Sequence, residues 1–94
     1  MILVRSPATI AGLIEARGIG ILRLDPLAQA HLALVVDLVA PEAVERLPKP
    51  HSETILGLSL PRVGLAPFEA STVAKLRLAL DALAGDGTLP QLER

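Results

Sequence analysis

The chain has 94 residues, nine basic and ten acidic, for a net charge of −1. That balance, with Phe68 as the single aromatic residue, argues against a nucleic-acid surface, which needs surplus cations for phosphates and rings for stacking. The absence of cysteine excludes a disulfide framework and thiolate metal sites, and points to the cytoplasm.

Half of the residues (51%) are hydrophobic, in a chain near the lower limit for a self-sufficient core. Some aliphatic faces therefore need cover from another chain or segment, and a homo-oligomer is expected. No membrane segment is expected. The opening Met1-Ile-Leu-Val meets Arg5 and Pro7 before a signal-peptide core can form, and the run Leu32–Val36 stops at Asp37, far short of a bilayer.

Ile2–Arg5 reads as a short strand, followed by one helical turn over Pro7–Ile10 with Ser6 as its N-cap. Gly12 reopens the backbone before Leu13–Ile21, Leu-Ile-Glu-Ala-Arg-Gly-Ile-Gly-Ile. On a strand, residues two apart share a face, so Glu15 and Arg17 are expected to project together, with Ile14 and Ala16 turned into a core. Gly18 and Gly20 allow a tight bend or a close backbone approach to a ligand. The residues alone leave two readings open here: a surface ion pair ahead of a turn, or a ligand-facing pair.

Ile21–Leu24 continues extended, and Asp25-Pro26 predicts one or two helical turns over Pro26–Ala30. His31–Val39 is nearly all aliphatic and predicts a strand buried on both faces. Asp37 interrupts it, either hydrogen-bonded near the strand end or functional. Pro41–Leu47 predicts a short helix ended by Pro48 and Pro50.

Thr54–Leu60 and Arg62–Leu65 predict two short strands separated by Pro61. Ser71 or Thr72 caps a long helix over Val73–Ala84, with Val73, Leu76, Leu80 and Leu83 as its apolar stripe. Gly85 stops it, Asp86-Gly87 turns, and Thr88–Arg94 makes a frayed tail, so the domain is expected over residues 1–85 with a disordered tail over 86–94. His31 and His51 stand twenty positions apart without ligand-spaced partners, which disfavours zinc. No serine sits in a nucleophile-elbow pattern.

The wording of Leu13–Leu22 resembles the signature of the HPr kinase/phosphorylase family, approximately L-I-E-[VI]-R-G-[LI]-G-[IL], with Ala16 in place of the β-branched residue. These enzymes phosphorylate a serine of the phosphocarrier protein HPr, and many also remove that phosphate. Arg5-Ser-Pro-Ala-Thr-Ile-Ala-Gly12 resembles the segment leading into the signature, and Pro67-Phe-Glu-Ala-Ser71 a late segment of the short proteobacterial members. The resemblance spans roughly residues 3–84.

It implies an α/β fold, the C-terminal portion of a P-loop (PEP-carboxykinase-like) kinase domain, with short strands, two short helices and one terminal helix. It implies Glu15 as a magnesium ligand, Arg17, Gly18 and Gly20 in the catalytic segment, ATP and Mg2+ as cofactors, and HPr as partner. Arg46 stands where the family has an active-site arginine, and the alternative is a solvated helix-end arginine. The Pro-Val-Arg-Pro-Gly-Arg segment that the longer members use for dephosphorylation is replaced here around Glu69 and Ser71, which weighs against phosphorylase activity.

The chain contains no G-x-x-x-x-G-K-[ST], and its lysines, Lys49 and Lys75, follow Pro48 and Ala74. The P-loop and the catalytic aspartate of the family precede the signature, so catalysis by these residues alone is not expected. A non-catalytic self-association or partner-binding module is the alternative.

Overall fold

The computed structural model describes residues 1–86 and Leu89. It divides into two compact units, Met1–Leu32 and Ala33–Arg94.

In the first unit, β1 (Leu3–Val4) pairs antiparallel with β4 (Ala30–His31), with Leu3 opposite His31. The Leu32 amide prolongs that ladder by donating to the Ile2 carbonyl at 2.8 Å. Between them stands a hairpin, β2 (Leu13–Ala16) against β3 (Gly20–Arg23). The Leu24 amide adds one more rung, donating to the Gly12 carbonyl at 2.7 Å. Only glycine fits there: its φ is +79°, and a Cβ would lie 2.8 Å from the Leu24 carbonyl oxygen.

The helical turn before the hairpin is a 3-10 turn over Ala8–Ile10, closed by the Ile10 amide on the Pro7 carbonyl at 3.1 Å. Pro7 occupies the cap position and no side chain caps the turn, so Ser6 does not serve as expected. The helix expected over Pro26–Ala30 does not form. Five residues give little return on a costly helix nucleus, and the β1–β4 ladder claims Ala30 through its pairing with Val4.

The strand expected over His31–Val39 is two strands. His31 belongs to β4, residues 32–34 are irregular, and β5 is Val35–Leu38. Nor is β5 buried on both faces: Val35, Val36 and Asp37 are half-buried and Leu38 is exposed. A continuous aliphatic run carries no information about which neighbour each portion will pair with.

The second unit is built on a three-stranded sheet of order β5-β7-β6, with β6 at His51–Ile55 and β7 at Leu58–Leu65. The pair β5–β7 is parallel and β6–β7 antiparallel. Pro61 does not separate a pair of strands as expected, because it lies within β7 opposite Ser52. Counting from the Ile55–Leu58 pair that closes the two-residue loop, Pro61 falls on a non-hydrogen-bonded position toward β6. The β5 ladder begins only at the next residue, Arg62 opposite Val35, so the missing N–H forfeits no rung.

Pro41–Leu47 shortens to a 3-10 turn over Pro41–Ala43. The terminal helix, α1, spans Thr72–Asp86 and runs through Gly85, which was expected to stop it. The Thr72 hydroxyl donates back to the Ala66 carbonyl instead of capping a helix amide. The half-buried positions are Thr72, Leu76, Ala79, Ala82 and Leu83, a stripe rotated by roughly 70° from the expected one at 100° per residue, which leaves Val73 and Leu80 exposed. The expected turn at Asp86-Gly87 and the tail over Thr88–Arg94 fall almost wholly outside the described residues.

Among the described residues only Ile2 (8% exposed) and Ala66 (2%) are buried. Ile19, Ile21, Leu27, Leu38, Val73 and Leu78 all stand exposed, and Phe68 is 99% exposed. The architecture is a mixed α/β arrangement of short strands and one helix, whose aliphatic side chains are only partly covered.

Candidate functional site

The β2–β3 hairpin carries the residues that sequence singled out. Its register sets Leu13 opposite Arg23, Ile14 opposite Leu22, Glu15 opposite Ile21 and Ala16 opposite Gly20. Three residues, Arg17-Gly18-Ile19, make the loop, and the Ile19 amide donates to the Ala16 carbonyl at 2.9 Å. Gly18 sits at the third position of that turn with φ +89°, the conformation a type II turn requires there.

This geometry corrects two expectations. Arg17 is a loop residue, not a strand neighbour of Glu15 two positions on. The cation that shares the Glu15 face is Arg23, diagonally across the hairpin, with Leu13 and Ile21 between them. Ile14 and Ala16 do share the opposite face with Leu22, but that face covers no core: Ile14 and Leu22 are exposed and Ala16 is half-buried.

Neither is there a surface ion pair at this place. The two ion pairs among the described residues are both made by Arg62, so the carboxylate of Glu15 and the guanidinium groups of Arg17 and Arg23 are without charged protein partners there. Gly18 and Gly20 have open space where a Cβ would stand. Their glycine character serves backbone conformation, with φ +89° and +121°, and not a close contact within the chain.

The second concentration of charge lies in the sheet of the second unit. Arg62, on the central strand β7, donates through Nε to Asp37 Oδ2 at 2.5 Å and through Nη2 to Asp37 Oδ1 at 3.1 Å. Its Nη1 donates to Glu53 Oε2 at 2.6 Å. The register makes this possible. Arg62 lies opposite Val35 on one side and His51 on the other, and Asp37 and Glu53 are each two residues further on, hence on the same face.

All three side chains are about two-fifths exposed (41%, 41% and 40%). The Arg62 hydrogen bonds, reinforced by its charge, hold the Asp37 carboxyl below its ordinary value against a smaller opposing effect of burial. Asp37 in turn raises the Arg62 guanidinium above its usual value. Of the two readings of Asp37, the hydrogen-bonded one holds. Sequence reasoning missed Arg62 and Glu53, although an isolated carboxylate in an aliphatic strand already demanded a cation within reach.

Arg46 belongs to the second unit, in the irregular segment after the 3-10 turn, so it is not a helix-end arginine. Glu15, Arg17, Gly18 and Gly20 belong to the first unit. Glu69, with Pro67 and Phe68, lines a mostly apolar cleft of about 380 Å³ together with Leu38–Pro41 and Ala66.

The hairpin fits magnesium through one exposed carboxylate, because that ion keeps water and takes only one or two carboxylates beside substrate oxygens. No cluster of three or more His, Asp or Glu capable of holding a metal occurs among the described residues. For ATP the residues do not fit. The glycine turn joins two antiparallel strands, so no helix N-terminus follows it to aim amides at phosphates.

No family model and no curated protein matches the chain. Among solved structures it is similar to the HPr(Ser) kinase/phosphatase from Coxiella burnetii, with a TM-score of 0.61 over 89% of this chain. The likeness is one of fold. Identity is 23%, and the match covers 63% of that protein's chain, so these residues correspond to somewhat less than two thirds of it. No helix among the described residues is long and apolar enough to cross a membrane.

Proposed function

We propose that this chain is the C-terminal portion of an ATP-dependent HPr serine kinase/phosphorylase catalytic domain. The observation that carries the reading is the fold likeness over 89% of the chain to a protein of that description. The hairpin bearing Leu-Ile-Glu-Ala-Arg-Gly-Ile-Gly-Ile supports it with the most specific wording in the sequence.

In this reading Glu15 holds magnesium through a carboxylate oxygen, directly or through water, and the ion would neutralise charge on the transferring phosphoryl group. Arg17 lies at the tip of the hairpin, free to meet the acceptor or a phosphate, and Gly18 and Gly20 set the turn that presents it. HPr is the acceptor. A P-loop segment must complete the ATP site, since these residues hold no phosphate cradle.

The test is to join or mix a P-loop-bearing segment with this chain and measure phosphate transfer from ATP to a serine of HPr. Transfer that needs both segments supports the reading. Failure of the joined, folded protein to phosphorylate HPr overturns it.

A second reading, a non-catalytic assembly module, draws on the exposed aliphatic surface, Phe68 above all. The chain is expected to self-associate or bind an apolar dye. Sedimentation as a clean monomer without dye binding would remove that reading.

A further inference from the structure

Antiparallel register fixes which charges of the β2–β3 hairpin can act on one ligand. Glu15 lies opposite Ile21, and Arg23 two residues beyond Ile21 on the partner strand, so the two side chains leave the same face from diagonal positions. Such diagonals are roughly 7–8 Å apart at Cα, within reach of both long side chains. Arg17, which sequence spacing paired with Glu15, is in the loop instead.

No ion pair ties Glu15 to Arg23 among the described residues, and both are exposed. Between them lies Ile21, 72% exposed and aliphatic, which offers neither head group a competing polar partner. The face thus presents a free anion and a free cation over an apolar floor.

We propose that Arg23 is a phosphate-binding residue that works with Glu15 across this face. The ligand class is a magnesium-bound phosphate group, with its metal toward Glu15 and a phosphate oxygen toward the Arg23 guanidinium. This rests on the reading of Glu15 as a magnesium ligand. Formal charge supports the arrangement: one carboxylate, one dication, one doubly ionised phosphate and one guanidinium sum to zero. Without Arg23 the group would carry a net negative charge. The planar fork of arginine also suits two phosphate oxygens, which the point charge of lysine does not match.

The experiment uses the whole chain, isotope-labelled, with Mn2+ or Mg2+ alone and then with inorganic phosphate in the presence of Mg2+. Amide signals of the hairpin report binding at the site, and signals of the second unit report on folding. Mn2+ should broaden the amides around Glu15, and phosphate with Mg2+ should shift those around Arg23.

R23Q should leave metal binding unchanged and weaken phosphate binding about tenfold or more, the scale of losing a hydrogen bond to a charged group. R23K should recover only a fraction of it. E15Q should abolish the metal effect. A hairpin that binds metal, but whose phosphate affinity changes less than twofold in R23Q, overturns the role of Arg23 and leaves Glu15 standing. Metal broadening absent from the parent chain, or unchanged in E15Q, overturns the reading of Glu15 itself. A parent chain whose hairpin does not respond to phosphate at tens of millimolar overturns the role of Arg23.

Discussion

Two hairpins among the described residues treat their charges in opposite ways. In β6–β7 the charge is answered within the protein: Arg62 donates to Glu53 across the hairpin and to Asp37 on the neighbouring strand β5. In β2–β3 the charges have no charged partners among the described residues, and the loop that carries Arg17 is relaxed by Gly18 at its positive-φ position. The turns differ in the same sense. The β6–β7 loop is Leu56-Gly57, and Leu56 is the one non-glycine residue with positive φ among the described residues. A cluster that satisfies itself is structural, whereas unpaired charges on a well-formed turn are available to something outside.

The largest expected effect tests that contrast directly. With a P-loop segment supplied, E15Q should lower phosphoryl transfer by about a hundredfold or more, the scale of removing one preorganised electrostatic group. E53Q, in the self-satisfied cluster, should change it less than about threefold. Circular dichroism serves as the folding control. Near-parental turnover for E15Q would remove the hairpin from the site.

Next comes stability, where the order reverses. R62M keeps an apolar stem but leaves Asp37 and Glu53 as two carboxylates on one face of the sheet, without the cation between them. It should lower the melting midpoint by a few degrees, while R17Q, in an exposed loop, leaves it within error. Equal midpoints for the two variants would show that the cluster contributes nothing.

A smaller effect concerns pH. The folded Asp37 carboxyl titrates below its ordinary value, so in that interval the folded state binds fewer protons than the unfolded one. Its contribution is complete above the ordinary carboxylate range and is lost as pH falls through the folded-state value. D37N should flatten the acid limb of a plot of melting midpoint against pH. An unchanged limb would assign acid sensitivity to other groups.

Legibility follows the range of the interactions. Of the β2–β3 hairpin, the extended runs and the glycine bend can be read because they lie within ten residues of one another. The cation that shares the Glu15 face cannot, since the turn takes Arg17 out of the strand and the register brings in Arg23. The long helix can be read from its apolar period, although its stripe and its end cannot, since Gly85 stops a helix only where the chain has reason to turn. Pro26–Ala30 and His31–Val39 mislead because pairing with Val4 and Arg62, far away in sequence, decides their conformation. Pro61 looks like a break because its tolerance depends on where the β5 ladder begins. The Arg62 cluster stays hidden for the same reason, since Asp37, Glu53 and Arg62 share a face only after two registers are set.

The smallest expected effect tests the strained side of the comparison. A two-residue hairpin loop with positive φ at both positions matches the twist of the flanking strands, and asparagine-glycine is its preferred sequence. Here Gly57 (φ +79°) meets that demand, but Leu56 (φ +49°) brings its Cβ close to the following carbonyl. Leu56 is 85% exposed, so its side chain recovers little of that cost by burial. The Ile55–Leu58 closing pair and the ladder beyond it over-determine the turn and hold Leu56 in place. L56N should therefore stabilise the second unit by about 1 kcal/mol, the lower end of the left-handed penalty. Urea denaturation followed on signals of β6 and β7 measures it. An asparagine in the loop of the other hairpin, I19N, should do nothing comparable, because Ile19 does not have positive φ and Gly18 already occupies the demanding position of that loop. A destabilised L56N would mean that the leucine side chain has a partner worth more than the strain, and would turn attention to what covers this end of the sheet.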